Sequence, residues 1–307
     1  MNPMAKTMIG LMKCAVLAAA ISMTGCQTNT ATGRSQLNML STGEEISIGN
    51  QTAPQYVEQF GGEVDDPVIR EYVADLGSRL TSTVVVDSGR QSLPWEFFTV
   101  DSKMINAFAL PGGKIFITRG LLEKMDNEAQ LVSVLGHEIG HVTGKHIGEQ
   151  LTQQMLLQVG LGAAAAATDS EWVAVMGGVA GGFAMLKFSR SHETESDDLG
   201  LRYMTSVGYD PMGMLQVMEI FKAESGGGGV EFLQTHPLPQ TRIDRIRRLI
   251  GTRYAHTQNN SEFTLGEASF LTNVTERLEA LPPARHDPAA EAAEAGAGNA
   301  ARGGGGR

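Results

Sequence analysis

Apolar positions recur with a helical period along most of this chain. Between residues 66 and 83, Val68, Ile69, Val73, Leu76 and Leu80 share one face of a 3.6-residue repeat, which predicts an amphipathic helix, and residues 43–60 read the same way. Residues 95–100 and 105–110 then alternate or run apolar, Pro111-Gly112-Gly113 turns the chain, and residues 114–118 complete a hairpin. After that the pattern predicts only helices, at 127–149, 151–167, 171–187, 191–207, 212–224 and 239–250, with a flexible break at the glycines of 226–229. A small, early sheet followed by helices makes the expected fold class α+β and mostly helical. No repeat of 20 to 50 residues is visible, so a helical-repeat scaffold is not encoded.

The ends follow other rules. Lys6 and Lys13 precede an uncharged run from Cys14 to Met23, followed by Thr24, Gly25 and Cys26. Charge, a short apolar stretch and then small residues form the layout of a secretory signal, and the run is well short of the ~20 residues a spanning helix needs. Met23-Thr24-Gly25-Cys26 resembles a bacterial lipobox. That resemblance implies cleavage after residue 25, lipid on Cys26 and, with Gln27 in the next position, delivery to the periplasmic face of the outer membrane. Cys14 would leave with the signal, so the mature chain would keep no thiol for a disulfide, a nucleophile or a metal.

Residues 26–41 are polar and aperiodic, as a tether would be. The globular domain is expected at 42–255 and a C-terminal extension at 256–281. Residues 282–307, dominated by Ala, Gly, Glu and Pro, bury too little apolar area to offset ordering entropy and are expected to be disordered. Residues 159–188 are rich in Ala, Gly, Val and Met but interrupted by Asp169 and Glu171. They read as two helices packed through small residues, or as a segment dipping into the membrane surface, the scarcity of Lys and Arg favouring the former.

Composition narrows the function. The 307 residues, 42% hydrophobic, can bury one substantial core or two, which excludes a disulfide mini-scaffold and a wholly disordered chain. A net charge of -10 with no dense basic run argues against a nucleic-acid partner.

The chemistry is concentrated at His137-Glu138-Ile139-Gly140-His141, inside a helical pattern for which Asp126 is the expected N-cap. Four residues advance a helix by about 400°, so both histidines project from one face, one turn apart, while Glu138 points about 100° away. Two imidazoles can hold one metal there, with Glu138 beside a metal-bound water. Catalytic zinc takes three protein ligands and keeps a position for water. Glu193 is the candidate third ligand, and Asp197, four residues on, is placed to accept a hydrogen bond from an imidazole, in the first instance His137. Glu195 and His192 read as surface residues. A metzincin third histidine is absent, because Val142-Thr143-Gly144-Lys145-His146 lacks the spacing. Gly136, Gly140, Gly144 and Gly148 recur every fourth residue, and since each weakens a helix, a close neighbour along that ridge is expected.

His137-Glu138-x-x-His141, Glu193-x-x-x-Asp197, the hairpin Asn106-Ala107-Phe108-Ala109-Leu110-Pro111-Gly112-Gly113, and His236-Pro237 before Arg242-Ile243 together resemble peptidase family M48 over residues 34–251. That family includes the CAAX prenyl proteases, the mitochondrial Oma-type proteases and bacterial periplasmic enzymes. The resemblance is to a soluble lipoprotein form, and it implies a gluzincin-type domain with one zinc ion held by His137, His141 and Glu193. It further implies Glu138 as general base, His236 as a fourth, inhibitory ligand or as a group stabilising the reacting carbonyl, and Arg242 at the oxyanion. The substrate strand would lie along the hairpin at Asn106 and Phe108. The expected function is a zinc-dependent endopeptidase acting on unfolded or misassembled envelope proteins, and the alternative is a chaperone-like assembly factor with a latched zinc site. Nothing in the pattern sets an oligomeric state.

Overall fold

The computed structural model describes residues 26–90, 92–159, 186–225, 231–288 and 290. Two antiparallel strands come first, β1 (Cys26–Thr28) and β2 (Ser35–Leu37). The stretch expected to be a tether is therefore folded against the domain. Polar Asn29, Gln36 and Asn38 are buried there beside apolar Ala31 and Leu40; Asn29 donates to the Thr143 carbonyl at 3.0 Å, and the Met39 amide donates to Thr152 Oγ1 at 3.0 Å. Hydrogen bonds supply much of the attachment, so hydropathy does not reveal it.

Helix α1 (Thr42–Gln59) opens with a reciprocal capping box between Ser41 and Glu44. Helix α2 (Pro67–Ser88) is capped by Asp66, whose carboxylate accepts from the Val68 and Ile69 amides, and has Pro67 in its first turn. It runs past the expected end at 83 to Gly89, which supplies the left-handed φ of 65° that closes it. Of the predicted apolar face, Ile69, Val73, Leu76 and Leu80 are buried and Val68 is half-buried.

The main sheet has the order β3 (Glu96–Val100), β5 (Lys114–Thr118), β4 (Ala107–Leu110), with β5 parallel to β3 and antiparallel to β4. The hairpin turn needs its glycines. Gly112 and Gly113 have φ of 77° and 84°, and a Cβ on Gly112 would sit 2.7 Å from the Glu45 carbonyl of α1. Phe108 pairs in register with Phe116 and stacks on it at 4.8 Å, Phe98 stacks on the same ring at 4.6 Å, and Tyr56 and Phe60 of α1 pack against Phe108. The Phe108 side chain, expected at the substrate strand, is thus part of the core.

A short helix, α3 (Arg119–Leu122), leads to α4 (Glu128–Thr143), in which every residue is buried. Its N-cap is Asn127, whose side chain accepts from the Gln130 amide, and not the neighbouring Asp126. The single helix expected at 127–149 is two: Lys145 takes a φ of 55°, and α5 (His146–Val159) starts after it. Then follow α6 (Arg190–Ser206), α7 (Met212–Glu224), α8 (Phe232–Thr235) and α9 (Gln240–Gly251).

Helix α4 lies across α6 at a separation set by glycine. A Cβ on Gly136 would come within 3.3 Å of Gly200 Cα, and one on Gly140 within 3.1 Å of Ser196 Cα. The other two glycines of the ladder face the His146 ring and the Asn38 side chain instead.

The C-terminal part folds as α10 (Glu267–Phe270), a π turn at Leu271–Thr275 and α11 (Glu276–Ala280), burying Phe270, Val274 and Leu278. Order continues beyond Leu281, where disorder was expected: Arg285 Nε donates to Asp101 at 2.8 Å, and His286 Nδ1 lies 2.6 Å from Ser102 Oγ. Ion pairs and hydrogen bonds, invisible to composition, fasten these residues. Among the described residues no helix is long and apolar enough to cross a membrane. The expected signal peptide, residues 171–185 of the helix expected at 171–187, the glycines of 226–229 and the tail beyond 290 lie outside the described residues, and residues 186 and 187 are not helical.

Candidate metal centre

Helix α4 presents His137 and His141 on one face, and α6, held close by the glycine contact, brings Glu193 to meet them. His236, the residue after α8, completes the group. One ligand atom from each of these four buried residues lies within 4.8 Å of the others. His137 Nε2 is 3.1 Å from His141 Nε2 and 3.4 Å from His236 Nδ1, while Glu193 Oε1 is 3.4 Å from His141 Nε2 and 2.9 Å from His236 Nδ1. Three imidazole nitrogens and a carboxylate converging on one point form a donor set that a cation balances. The residues present therefore fit a metal ion.

The surroundings fix how each ligand points. His137 Nδ1 is 3.1 Å from Asp197 Oδ1, so it donates there and turns the Nε2 lone pair inward. On the other ligand, His141 Nδ1 lies 3.1 Å from His146 Nδ1, and His146 Nε2 lies 2.9 Å from Glu195 Oε2. Burial pushes His141 well below the usual histidine range, which leaves its imidazole neutral, as ligation requires. For Glu193, burial opposes the charged form, but the neighbouring His236 and His141 outweigh it and hold the carboxyl well below its usual range.

Glu138 is different. It is fully buried, neither carboxylate oxygen has a hydrogen-bond partner, and His236 Nε2 lies 3.7 Å from its Oε1. Burial raises its carboxyl above the usual glutamate range, against the pull of the neighbouring His236 and His137. A partnerless buried carboxylate next to a ligand cluster is a group held ready to take a proton.

Arg242 is engaged by two carboxylates and a carbonyl. Its Nε and Nη2 donate to both oxygens of Asp197 at 2.8 and 2.7 Å, and Nη1 donates to Glu193 Oε2 at 2.5 Å and to the Pro237 carbonyl at 2.7 Å. Its nitrogens are committed to Glu193, Asp197 and the Pro237 carbonyl, whereas the family resemblance places Arg242 at an oxyanion. Burial disfavours the guanidinium charge, and Asp197 and Glu193 outweigh this, raising its pKa.

The residues read as surface, His192 and Glu195, belong to a polar cluster beside the centre. His192 is buried, stacks on His146 at 4.4 Å and lies 3.3 Å from Glu149 Oε2 through Nε2, while Glu195 pairs with Arg34 and His146. Asn106 is buried at the start of β4, its amide donating to Thr118 Oγ1 and its Oδ1 without a partner. Among the described strands β4 pairs only with β5. Sequence reasoning missed His146, Phe188, whose ring lies 3.9 Å from that of His141, and Phe232, stacked on His236 at 4.2 Å. His146 had a signal, a third histidine five residues after His141.

Comparison with known proteins agrees with this geometry. The model of peptidase family M48 matches residues 72–250. The chain is 32% identical over 254 residues to the beta-barrel assembly-enhancing protease of Escherichia coli, covering 78% of this chain and 50% of that protein. It is 30% identical over 237 residues to the protein of that name from Yersinia pestis, covering 73% and 47%. With the mitochondrial metalloendopeptidase OMA1 of Schizosaccharomyces pombe it shares 32% identity over 176 residues, 55% of this chain and 50% of the relative. The chain spans about half the length of these curated relatives. A mostly helical domain with two histidines on one buried helix, a glutamate from the helix packed against it and this extent of similarity have one explanation, that the chain belongs to peptidase family M48.

Proposed function

We propose that this protein is a zinc-dependent endopeptidase of the bacterial envelope. The observation that carries the proposal is the four-residue ligand cluster beside the buried, partnerless carboxylate of Glu138. His137, His141 and Glu193 would hold the ion, a donor set of the kind that catalytic zinc uses. Zinc, when bound, polarises a peptide carbonyl and makes water deprotonable near pH 7. Glu138 accepts the proton of the attacking water and returns it to the leaving amine. Asp197 holds His137, and Arg242 holds Asp197 and Glu193. Strand β4, from Asn106 through Phe108, receives an extended substrate by backbone pairing, which suits unfolded chains.

The lipobox-like tetrad ending at Cys26 supports lipid anchoring at the periplasmic face of the outer membrane. The Escherichia coli and Yersinia pestis relatives are named for enhancing beta-barrel assembly, which supports a role in that process, and misassembled outer-membrane proteins are the substrates this reading takes. The deciding experiment compares zinc content and casein hydrolysis for the chain and its Glu138→Gln variant. One equivalent of zinc in both is expected, with hydrolysis about 10²-fold or more slower in the variant; undiminished hydrolysis would overturn the mechanism.

A second reading has its own observation. His236 Nδ1 sits among the ligand atoms, 2.9 Å from Glu193 Oε1, where it can fill the fourth position. A site latched in this way suits a chaperone-like assembly factor. Replacing His236 by Ala separates the two: faster proteolysis indicates a gated protease, and client binding without cleavage in either form indicates the assembly factor.

A further inference from the structure

The two ligand histidines are braced differently. His137 uses a carboxylate directly, whereas His141 meets a second imidazole, His146, at 3.1 Å between their Nδ1 atoms. With His141 Nε2 turned to the ligand cluster, its Nδ1–H donates to His146 Nδ1. His146 Nε2–H then donates to Glu195 Oε2 at 2.9 Å, and Ser196 Oγ lies 3.3 Å from the shared Nδ1. The backbone is shaped for this ring. Lys145 adopts a φ of 55°, folding His146 back onto the end of α4, and a Cβ on Gly144 would lie 2.5 Å from His146 Nε2. His192 closes the other face of the ring at 4.4 Å.

The chain of contacts continues outward. Glu195 accepts from Arg34 Nε at 3.0 and 3.2 Å, and the same guanidinium reaches Glu149 at 2.7 Å through Nη2 and 3.3 Å through Nη1. Arg34 precedes β2, in the hairpin that begins at Cys26.

We propose that His146 is a positioning residue of the metal centre, fixing the tautomer and orientation of His141 through Glu195, and that Arg34 braces this arrangement so that metal retention depends on the β1–β2 hairpin. Second partners of ligand imidazoles act in this way in metal sites generally. The inference rests on the metal-centre reading above. It ties the strength of the centre to the segment that leads from the expected lipid anchor.

The test is the rate at which zinc passes from the full chain to an excess of a chromophoric chelator, measured with the thermal stability of each zinc-free form. His146→Leu removes both hydrogen bonds and should lose zinc about 10- to 100-fold faster than the parent. His146→Asn keeps an acceptor near the position of Nδ1 and should stay within about threefold, and Arg34→Met should release zinc severalfold faster with the zinc-free stability little changed. Parent-like release from a folded His146→Leu protein overturns the proposal. Should that variant not fold, parent-like release from Arg34→Met does so. A residue with only a structural role would lower the stability of the zinc-free and zinc-loaded forms alike and leave the release rate unmoved. If the parent binds no zinc, the metal-centre reading itself fails, which sets that outcome apart from the others.

Discussion

Glu138 and Arg242 show how the surroundings of a charged side chain decide its use. Burial without a partner raises the Glu138 carboxyl, so its protonated form persists to higher pH than an exposed glutamate's. In the zinc-free protein this carboxyl should therefore titrate above the ordinary glutamate value of about 4.3. Carboxyl-carbon NMR of the zinc-free protein checks this, and a titration at or below that value would contradict it. Arg242 is instead committed to two carboxylates, Asp197 and Glu193. Arg242→Ala leaves Asp197 and Glu193 buried without their cation and should destabilise the zinc-free protein by about 3–5 kcal/mol in urea. Unchanged stability with a large loss in kcat would instead return Arg242 to the oxyanion.

Among the elements, α4 and α6 work as a pair because glycine lets them approach. Gly140 faces Ser196, between the positions that carry Glu193 and Asp197, so a larger residue there separates the ligand-bearing helices. Gly140→Leu should cost about 1–3 kcal/mol by overpacking and weaken zinc binding as well. Thermal melts together with zinc titration measure both, and wild-type values for both would count against the role assigned to the contact. The β1–β2 hairpin is held electrostatically. Burial tends to raise Glu149, but the hydrogen bond and charge of Arg34 outweigh it, and the carboxyl is lowered. A carboxyl depressed in the folded state contributes stability above its unfolded value of about 4.5, and that contribution is lost as pH falls further. Amide-exchange protection of residues 26–37 should thus exceed that of an Arg34→Met variant by a constant factor above about pH 5, and by less below pH 4.5. A difference that does not change with pH would rule out this ion pair as the hairpin's fastening.

For the whole molecule, a ligand that binds only the folded state stabilises it by mass action. Removing the metal should lower the melting temperature, and restoring zinc at about 100 times its dissociation constant should recover about 2.7 kcal/mol. Calorimetry with and without chelator tests this, and identical melts would mean that the cluster holds no ion. The N-terminal hairpin, the sheet, the paired helices and the residues as far as His286 all join one body around that cluster.

Local chemistry determined what the sequence could reveal by itself. Periodicity outlined α1, α2, α6, α7 and α9, Pro111-Gly112-Gly113 marked the β4–β5 turn, and the spacing of His137, Glu138 and His141 on a helix gave the start of the site. Glu193 and Asp197 were legible because i, i+4 spacing and a family resemblance pointed to them. Hidden were features held by partners distant in sequence: the folding of residues 26–37 through buried polar contacts, the core position of Phe108, the commitment of Arg242 to carboxylates 45 and 49 residues away, and the place of His146 behind His141. A residue's type and its near neighbours set its propensity and its ionisable chemistry. Its partner, its exposure and the direction in which its donors point depend on which distant segment packs against it, and only the tertiary structure decides that.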